Sequence, residues 1–235
     1  TKQLTTIGSV QNPAWSPDGT QLAFDRAGKN SADLYVLDYP GGVPRAITNN
    51  SSQVVDNNFW EMQPAWALDG RSLLYASDRG RLRTGTLDLA AWRITISSLA
   101  RAQLSSANLY TGGIDYPAWR PGTNEISYTS WTYGLNELEP YGALELLDIT
   151  TNDARSLTAT DETAMQASWS PDGRDVAVVR RQQGEDQVWI APVAPAAANV
   201  RLRQIVPGSP TATPRAATAT SQPAAAASRV TSPQS

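Results

Sequence analysis

The pattern Pro13-Ala-Trp-Ser-Pro-Asp-Gly19 returns three more times in this 235-residue chain. Its other copies are Pro64-Ala-Trp-Ala-Leu-Asp-Gly70, Pro117-Ala-Trp-Arg-Pro-Gly-Thr123 and Ala167-Ser-Trp-Ser-Pro-Asp-Gly173. Their tryptophans, Trp15, Trp66, Trp119 and Trp169, lie 51, 53 and 50 residues apart. A period near 50 with small drift marks one structural unit repeated with loops of different length. Four such matches in one short chain are not chance.

Positions downstream of each tryptophan keep step. Seven residues on stand Leu22, Leu73, Ile126 and Val176, and nine on stand Phe24, Tyr75, Tyr128 and Val178. Apolar residues two apart lie on one face of a strand. A second run reads Leu34-Tyr-Val36, Trp92-Arg-Ile94, Leu144-Glu-Leu146 and Val188-Trp-Ile190. Its outer residues are expected to face the core, with Tyr35, Arg93, Glu145 and Trp189 alternating outward. A third run reads Arg45–Thr48, Ala102–Ser105, Arg155–Thr158 and Arg203–Val206. Counting the tryptophan strand, each unit has four strands. Ser-Pro-Asp-Gly joins the first two as a hairpin turn, with Pro presetting φ, Asp bonding to the backbone ahead and Gly taking the left-handed position. Unit three has Gly122-Thr123 in place of Asp-Gly, which shifts the turn glycine. The four tryptophans read as packing residues.

Four-stranded antiparallel units at a fixed period predict an all-β fold, a β-propeller of four full blades. The motif also resembles the TolB-type (WD-like) propeller repeat: P-A-W-S-P-D-G, then L-A-F, D-L-Y-V-L-D and R-x-I-T strands. The resemblance covers residues 1–208 and is specific for fold and nearly silent on function. It implies blades of the kind found in periplasmic TolB, in the propeller of prolyl-oligopeptidase-type peptidases, and in many bacterial proteins of unknown role. The blades fall near 9–50, 61–106, 115–160 and 165–208. Lys2-Gln-Leu-Thr5 repeats the fourth-strand pattern before the first tryptophan, so 1–8 is expected as an orphan outer strand. It fits three arrangements: the downstream part of a larger propeller, a closed four-bladed ring with an added edge strand, or a ring completed by a second chain.

Composition narrows function. The chain has no cysteine and no histidine, which removes disulfides, thiolate nucleophiles, Cys or His zinc sites and Ser-His-Asp machinery. A formal charge of −3 from 19 basic and 22 acidic residues argues against a nucleic-acid surface. No apolar run approaches the roughly 20 residues that span a bilayer. Residues 209–235 are almost wholly Ala, Ser, Thr, Pro, Gln and Arg, a composition that cannot bury enough apolar surface to order itself. They read as a tail or linker, and their Thr/Ser/Pro content points to a bacterial envelope, periplasmic or extracellular.

Length variation falls on one face of the blades, that of the second-to-third-strand and fourth-to-first-strand loops. The 49–63 loop carries Phe59, Trp60 and Glu61; the 78–90 insertion carries Arg79, Arg81 and Arg83. The 129–142 insertion carries Trp131, Tyr133, Glu137, Glu139 and Tyr141. Long loops on a rigid scaffold carry function, and aromatic and Arg side chains dominate interface energetics. The competing reading is that these aromatics fold back to cap the loops, with the blade-two arginines pairing with the blade-three glutamates. The carboxylates Asp56, Glu61, Asp115 and Asp161 lie near the blade entrances and are expected around the central channel. No spacing matches a calcium loop, and no phosphate-binding or nucleophile-elbow motif occurs. No catalytic residue, cofactor or metal is assigned.

The leading expectation is a non-enzymatic propeller scaffold for protein–protein interactions in a larger assembly, with open ring edges available to another chain. The alternatives are the substrate-gating propeller of a larger prolyl-oligopeptidase-like enzyme and a propeller binding a small ligand or metal in its channel.

Overall fold

A computed structural model describes residues 1–54, 57–79, 89–105, 113–132, 141–159, 163–182, 184–193 and 203–204. The expected propeller is present: among the described residues sixteen strands form four antiparallel four-stranded sheets, each in simple meander order. Blade 1 comprises β1 (Val10–Trp15), β2 (Gln21–Ala27), β3 (Ala32–Asp38) and β4 (Arg45–Ala46). Blade 2 comprises β5 (Glu61–Trp66), β6 (Ser72–Ser77), β7 (Ala90–Thr95) and β8 (Arg101–Gln103). Blade 3 comprises β9 (Ile114–Trp119), β10 (Glu125–Thr132), β11 (Tyr141–Asp148) and β12 (Asp153–Ser156). Blade 4 comprises β13 (Ala164–Trp169), β14 (Asp175–Gln182), β15 (Glu185–Pro192) and β16 (Arg203–Gln204). The tail from 205 onward lies outside the described residues.

The turn chemistry is local. In blade 1, Asp18 accepts hydrogen bonds from the Ser16 hydroxyl (2.6 Å) and the Thr20 amide (3.0 Å), while Gly19 takes φ +71°. These bonds hold the exposed Asp18 carboxyl below its usual range, the Ser16 bond first. Blade 3 closes a turn of the same length, Arg120 N to Glu125 O at 3.0 Å, with Gly122 in the left-handed region one position earlier.

The core lies between blades. Ala23, Leu34, Val36 and Ile47 of blade 1 meet Trp66, Leu73, Tyr75 and Ile94 of blade 2. Leu74, Ala76 and Ala91 then meet Ile126, Tyr128 and Leu147, and Leu144, Leu146 and Leu157 meet Val176, Val178 and Ala191. The sheets of blades 2 and 3 therefore bury both faces, one on the preceding blade and one on the following. The expected alternation of core and outward residues on the third strands is corrected accordingly: Trp189 packs into the core between blades 3 and 4. The blade 2 alignment also shifts by one. Tyr75 pairs with Trp92 as Phe24 pairs with Tyr35, so Ala91-Trp-Arg93, not Trp92-Arg-Ile94, matches Leu34-Tyr-Val36. A one-residue slip moves every side chain to the opposite face.

Lys2–Thr5 forms no strand and pairs with none among the described residues. A fourth strand needs the third strand of its own blade, and blade 1 already has β4 beside β3. The segment is tied to blade 1 by Lys2 Nζ donating to Pro40 O (3.3 Å) and Arg26 Nε donating to Ile7 O (3.2 Å).

Candidate channel site

First strands of neighbouring blades pack on one another (β1 on β5, β5 on β9, β9 on β13), whereas the fourth strands are peripheral. The first strands therefore line the axis. Each is bulged at the same place, three residues before the tryptophan. Asn12, Gln63, Tyr116 and Gln166 adopt φ of 50°, 57°, 51° and 55°, and the ladder shifts register beside each. A left-handed non-glycine residue costs roughly 1–3 kcal/mol and concentrates at functional sites, as do bulges. Four in register on one axis are a feature of the repeat.

These residues are linked across blades. Buried Asp25 accepts from the Asn12 side chain (2.8 Å) and from the Gln63 amide of blade 2 (2.9 Å). The Gln63 side chain donates to Asp115 (3.1 Å) and accepts from the Tyr116 amide (2.7 Å), both on blade 3. The Trp131 indole donates to the other Asp115 oxygen at 2.8 Å, and Gln166 of blade 4 reaches the Tyr116 hydroxyl at 3.3 Å. Burial pushes the Asp25 and Asp115 carboxyls up, and the hydrogen bonds they accept oppose it. Asn12, Pro13, Gln63, Pro64, Tyr116 and Pro117 bound an open cavity of about 210 Å³ on the axis. Proline and tyrosine faces beside amide groups suit an extended polypeptide, which offers both apolar side chains and backbone hydrogen-bonding groups.

The raised Asp25 carboxyl has a direct consequence for stability. Its folded value lies above the ordinary 3.8, so its contribution is fully present below that value and is lost as pH rises through the folded one. An Asn at this position keeps an oxygen acceptor for both donors and never ionises. Asp25→Asn is expected to raise the thermal midpoint at neutral pH, with the gain vanishing in acid. Parallel thermal melts across that range check it; equal midpoints at all pH values would contradict it.

The surface residues expected from the sequence divide. Phe59 and Trp60 are half-buried and fold back: Ala32 N donates to Phe59 O (3.1 Å), and Trp60 N donates to Asp78 (2.8 Å). Arg79 lies over the Phe59 ring at 4.1 Å and pairs with Glu61. Trp131 and Tyr141 belong to β10 and β11 rather than to a loop, because those strands run eight residues each. Gly142 sits opposite Trp131, where a Cβ would come within 3.1 Å of the indole. Arg81, Arg83, Tyr133, Glu137 and Glu139 lie outside the described residues, as do Asp56 and Asp161. Among the described residues no three carboxylates group closely enough to hold a metal ion. Sequence reasoning missed Asn12, Asp25, Gln63, Tyr116 and Gln166. For the four first-strand residues the one signal was a polar or tyrosine residue three places before every repeat tryptophan; Asp25 carried none.

Second to the site lies a closed polar knot. Glu61 is fully buried; its carboxylate takes Arg79 Nε at 2.9 Å and Asn50 Nδ2 at 2.8 Å, with Arg101 Nε at 3.7 Å. Arg79 also donates to the Asn50 side-chain oxygen at 2.7 Å. Burial, then the Glu61 charge, push the neighbouring Tyr75 phenol well above its ordinary range.

Sheet order, blade-to-blade packing and an axial first strand define a β-propeller. Its blades resemble those of TolB. The structure superposes on TolB from Acinetobacter baumannii with a TM-score of 0.61 at 18% identity, covering 83% of this chain and 43% of that one. For a putative TolB from Agrobacterium tumefaciens the values are 0.63, 19%, 82% and 64%. A prolyl endopeptidase gives 0.57 at 16% identity, over 84% of this chain and 30% of its own. At these identities the likeness is one of fold. No family model matches the chain. One curated relative, the uncharacterized peptidase YuxL of Bacillus subtilis, is 38% identical over 71 residues, or 29% of this chain and 10% of the peptidase. The chain thus spans about a tenth of that relative and less than two thirds of either TolB. No helix among the described residues is long and apolar enough to cross a membrane.

Proposed function

We propose that this chain is a non-catalytic propeller module of a bacterial cell-envelope assembly that binds an extended segment of a partner protein at the channel mouth. The observation that carries this reading is the four-blade register of bulged, hydrogen-bonded residues around the axial cavity. Backbone strain repeated at one place in every blade is maintained against its cost, and it aims Gln63 and Tyr116 at the axis. The rigid blades pre-organise the site, so little ordering entropy is lost there on binding.

The test is selection of a random peptide library on the immobilised full chain. Enriched peptides are expected to lose about tenfold or more in affinity, roughly 1.4 kcal/mol, on Gln63→Ala or Tyr116→Ala, and to keep it on Asp172→Ala in an opposite-face turn. No enrichment, or binding indifferent to both axial substitutions, would reject the reading.

The YuxL match supports a second reading, in which the same channel admits substrate to a peptidase domain on the same polypeptide. The chemistry would then belong to that domain, since this chain contains no histidine or cysteine. A natural gene product that continues into a serine-hydrolase domain would favour it.

A further inference from the structure

The molecule carries both halves of a blade junction, each without its complement. At two of the three internal junctions the repeat tryptophan hydrogen-bonds to the preceding blade: Trp66 Nε1 donates to Ala14 O at 3.0 Å and Trp169 Nε1 donates to Ser127 Oγ at 2.9 Å, whereas the indole nitrogen of Trp119 is buried without a partner among the described residues. Trp66 is accordingly 7% exposed, whereas Trp15, the same residue of blade 1, is 53% exposed. Its ring lies 5.0 Å from that of Tyr39, itself exposed, at a near right angle. Behind Trp15 lie Leu22 and Phe24, the positions that Leu73 and Tyr75 bury against blade 1. Gln3, Leu4 and Thr5 of the amino-terminal segment cover Phe24, which is 3% exposed, and line with Leu22 and Phe24 an apolar cavity of about 220 Å³.

Blade 4 presents the opposite half. Leu34, Ala91 and Leu144 are fully buried against the following blade, and the matching residue, Val188, is 50% exposed. Ser168, the counterpart of the Ala14 that accepts from Trp66, is exposed as well. Among the described residues no strand of blade 1 packs on a strand of blade 4 as β2 packs on β5. The two faces therefore do not cover each other.

We propose that the blade 1 face docks the blade 4 face of a second copy of this chain, head to tail, with Trp15 as anchor and Ser168 of the other copy beneath it. The occupant follows from continuity: the junction repeats three times within the chain, and this fourth one uses the same positions. A heterologous contact of this kind joins unlike faces, so each copy offers one of each. The segment Lys2–Ile7, held to blade 1 by two side-chain bonds to backbone oxygens, moves aside when the partner blade seats.

Sedimentation of the full chain across a concentration series tests the proposal, with Trp15→Asp and Val188→Asp compared. Both side chains are half exposed, so neither substitution disturbs the internal core; circular dichroism checks the fold. Self-association is expected in the wild type and weakened at least about tenfold in each variant alone. An equimolar mixture of the two variants is expected to associate again, because one keeps its blade 4 face and the other its blade 1 face. A monomer at every concentration, or association that both variants retain, would overturn the proposal. So would protection of Trp15 from hydroxyl radicals in a monomeric longer natural polypeptide, which would assign the face to a further blade in the same chain.

Discussion

Glu61→Ala is expected to destabilise the chain by about 3 kcal/mol, measured as the loss of unfolding free energy in urea. Removing one partner of a buried ion pair costs about 3–5 kcal/mol, because the surviving charge stays desolvated. Arg79 is 26% exposed and recovers some hydration, which places the expectation at the lower end. Glu61→Gln does not restore the knot. Glu61 accepts on both oxygens, from Arg79 and from Asn50. A glutamine amide turns one acceptor into a donor facing the Asn50 amide. Reversing Asn50 would remove the oxygen that accepts from Arg79 Nη2. The conservative variant should therefore still lose about 1–2 kcal/mol, the cost of an unsatisfied buried group. A loss below about 0.5 kcal/mol for Glu61→Ala would mean that the pair does not hold the 49–61 loop.

That knot ties the loop to the blades. Asn50 N donates to Asp33 of blade 1 at 2.7 Å, while Glu61 begins β5 of blade 2. Phe59 and Trp60 are held between them. The loop the sequence offered as a binding surface is in this part a clasp between two blades, with the Phe59 ring against Arg79.

Much of the architecture was legible because it is local. The turn at Ser16–Gly19, the strand alternation after each tryptophan and the period itself depend on residues close in sequence. The channel site depends on contacts between blades. Asp25 meets the Gln63 amide across 38 residues, and Gln63 meets Asp115 across 52. Periodicity tells which side chains share a strand face, but not which blade that face meets. The blade 2 slip has the same origin. Trp92 and Ile94 look like the apolar pair of the other third strands, yet ladder pairing puts Arg93 at the Leu146 position. Apolar matching cannot fix register where both faces of the sheet are buried.

The sharpest consequence of position over identity is the pair Trp66 and Trp15. Trp66→Ala is expected to cost about 3–5 kcal/mol, through a cavity among Leu34, Val36, Leu73 and Ile94 and the loss of its bond to Ala14 O. Trp15→Ala, the same change at the same repeat position, should stay within about 0.5 kcal/mol when measured in dilute solution. The two differ only in whether a blade precedes them. Urea unfolding of both variants at low concentration provides the comparison. Equal losses would show that Trp15 is buried in the isolated molecule, and the open face of blade 1 would then be closed by contacts within one chain. Unequal losses at low concentration, converging as concentration rises, would instead place a second copy against Trp15.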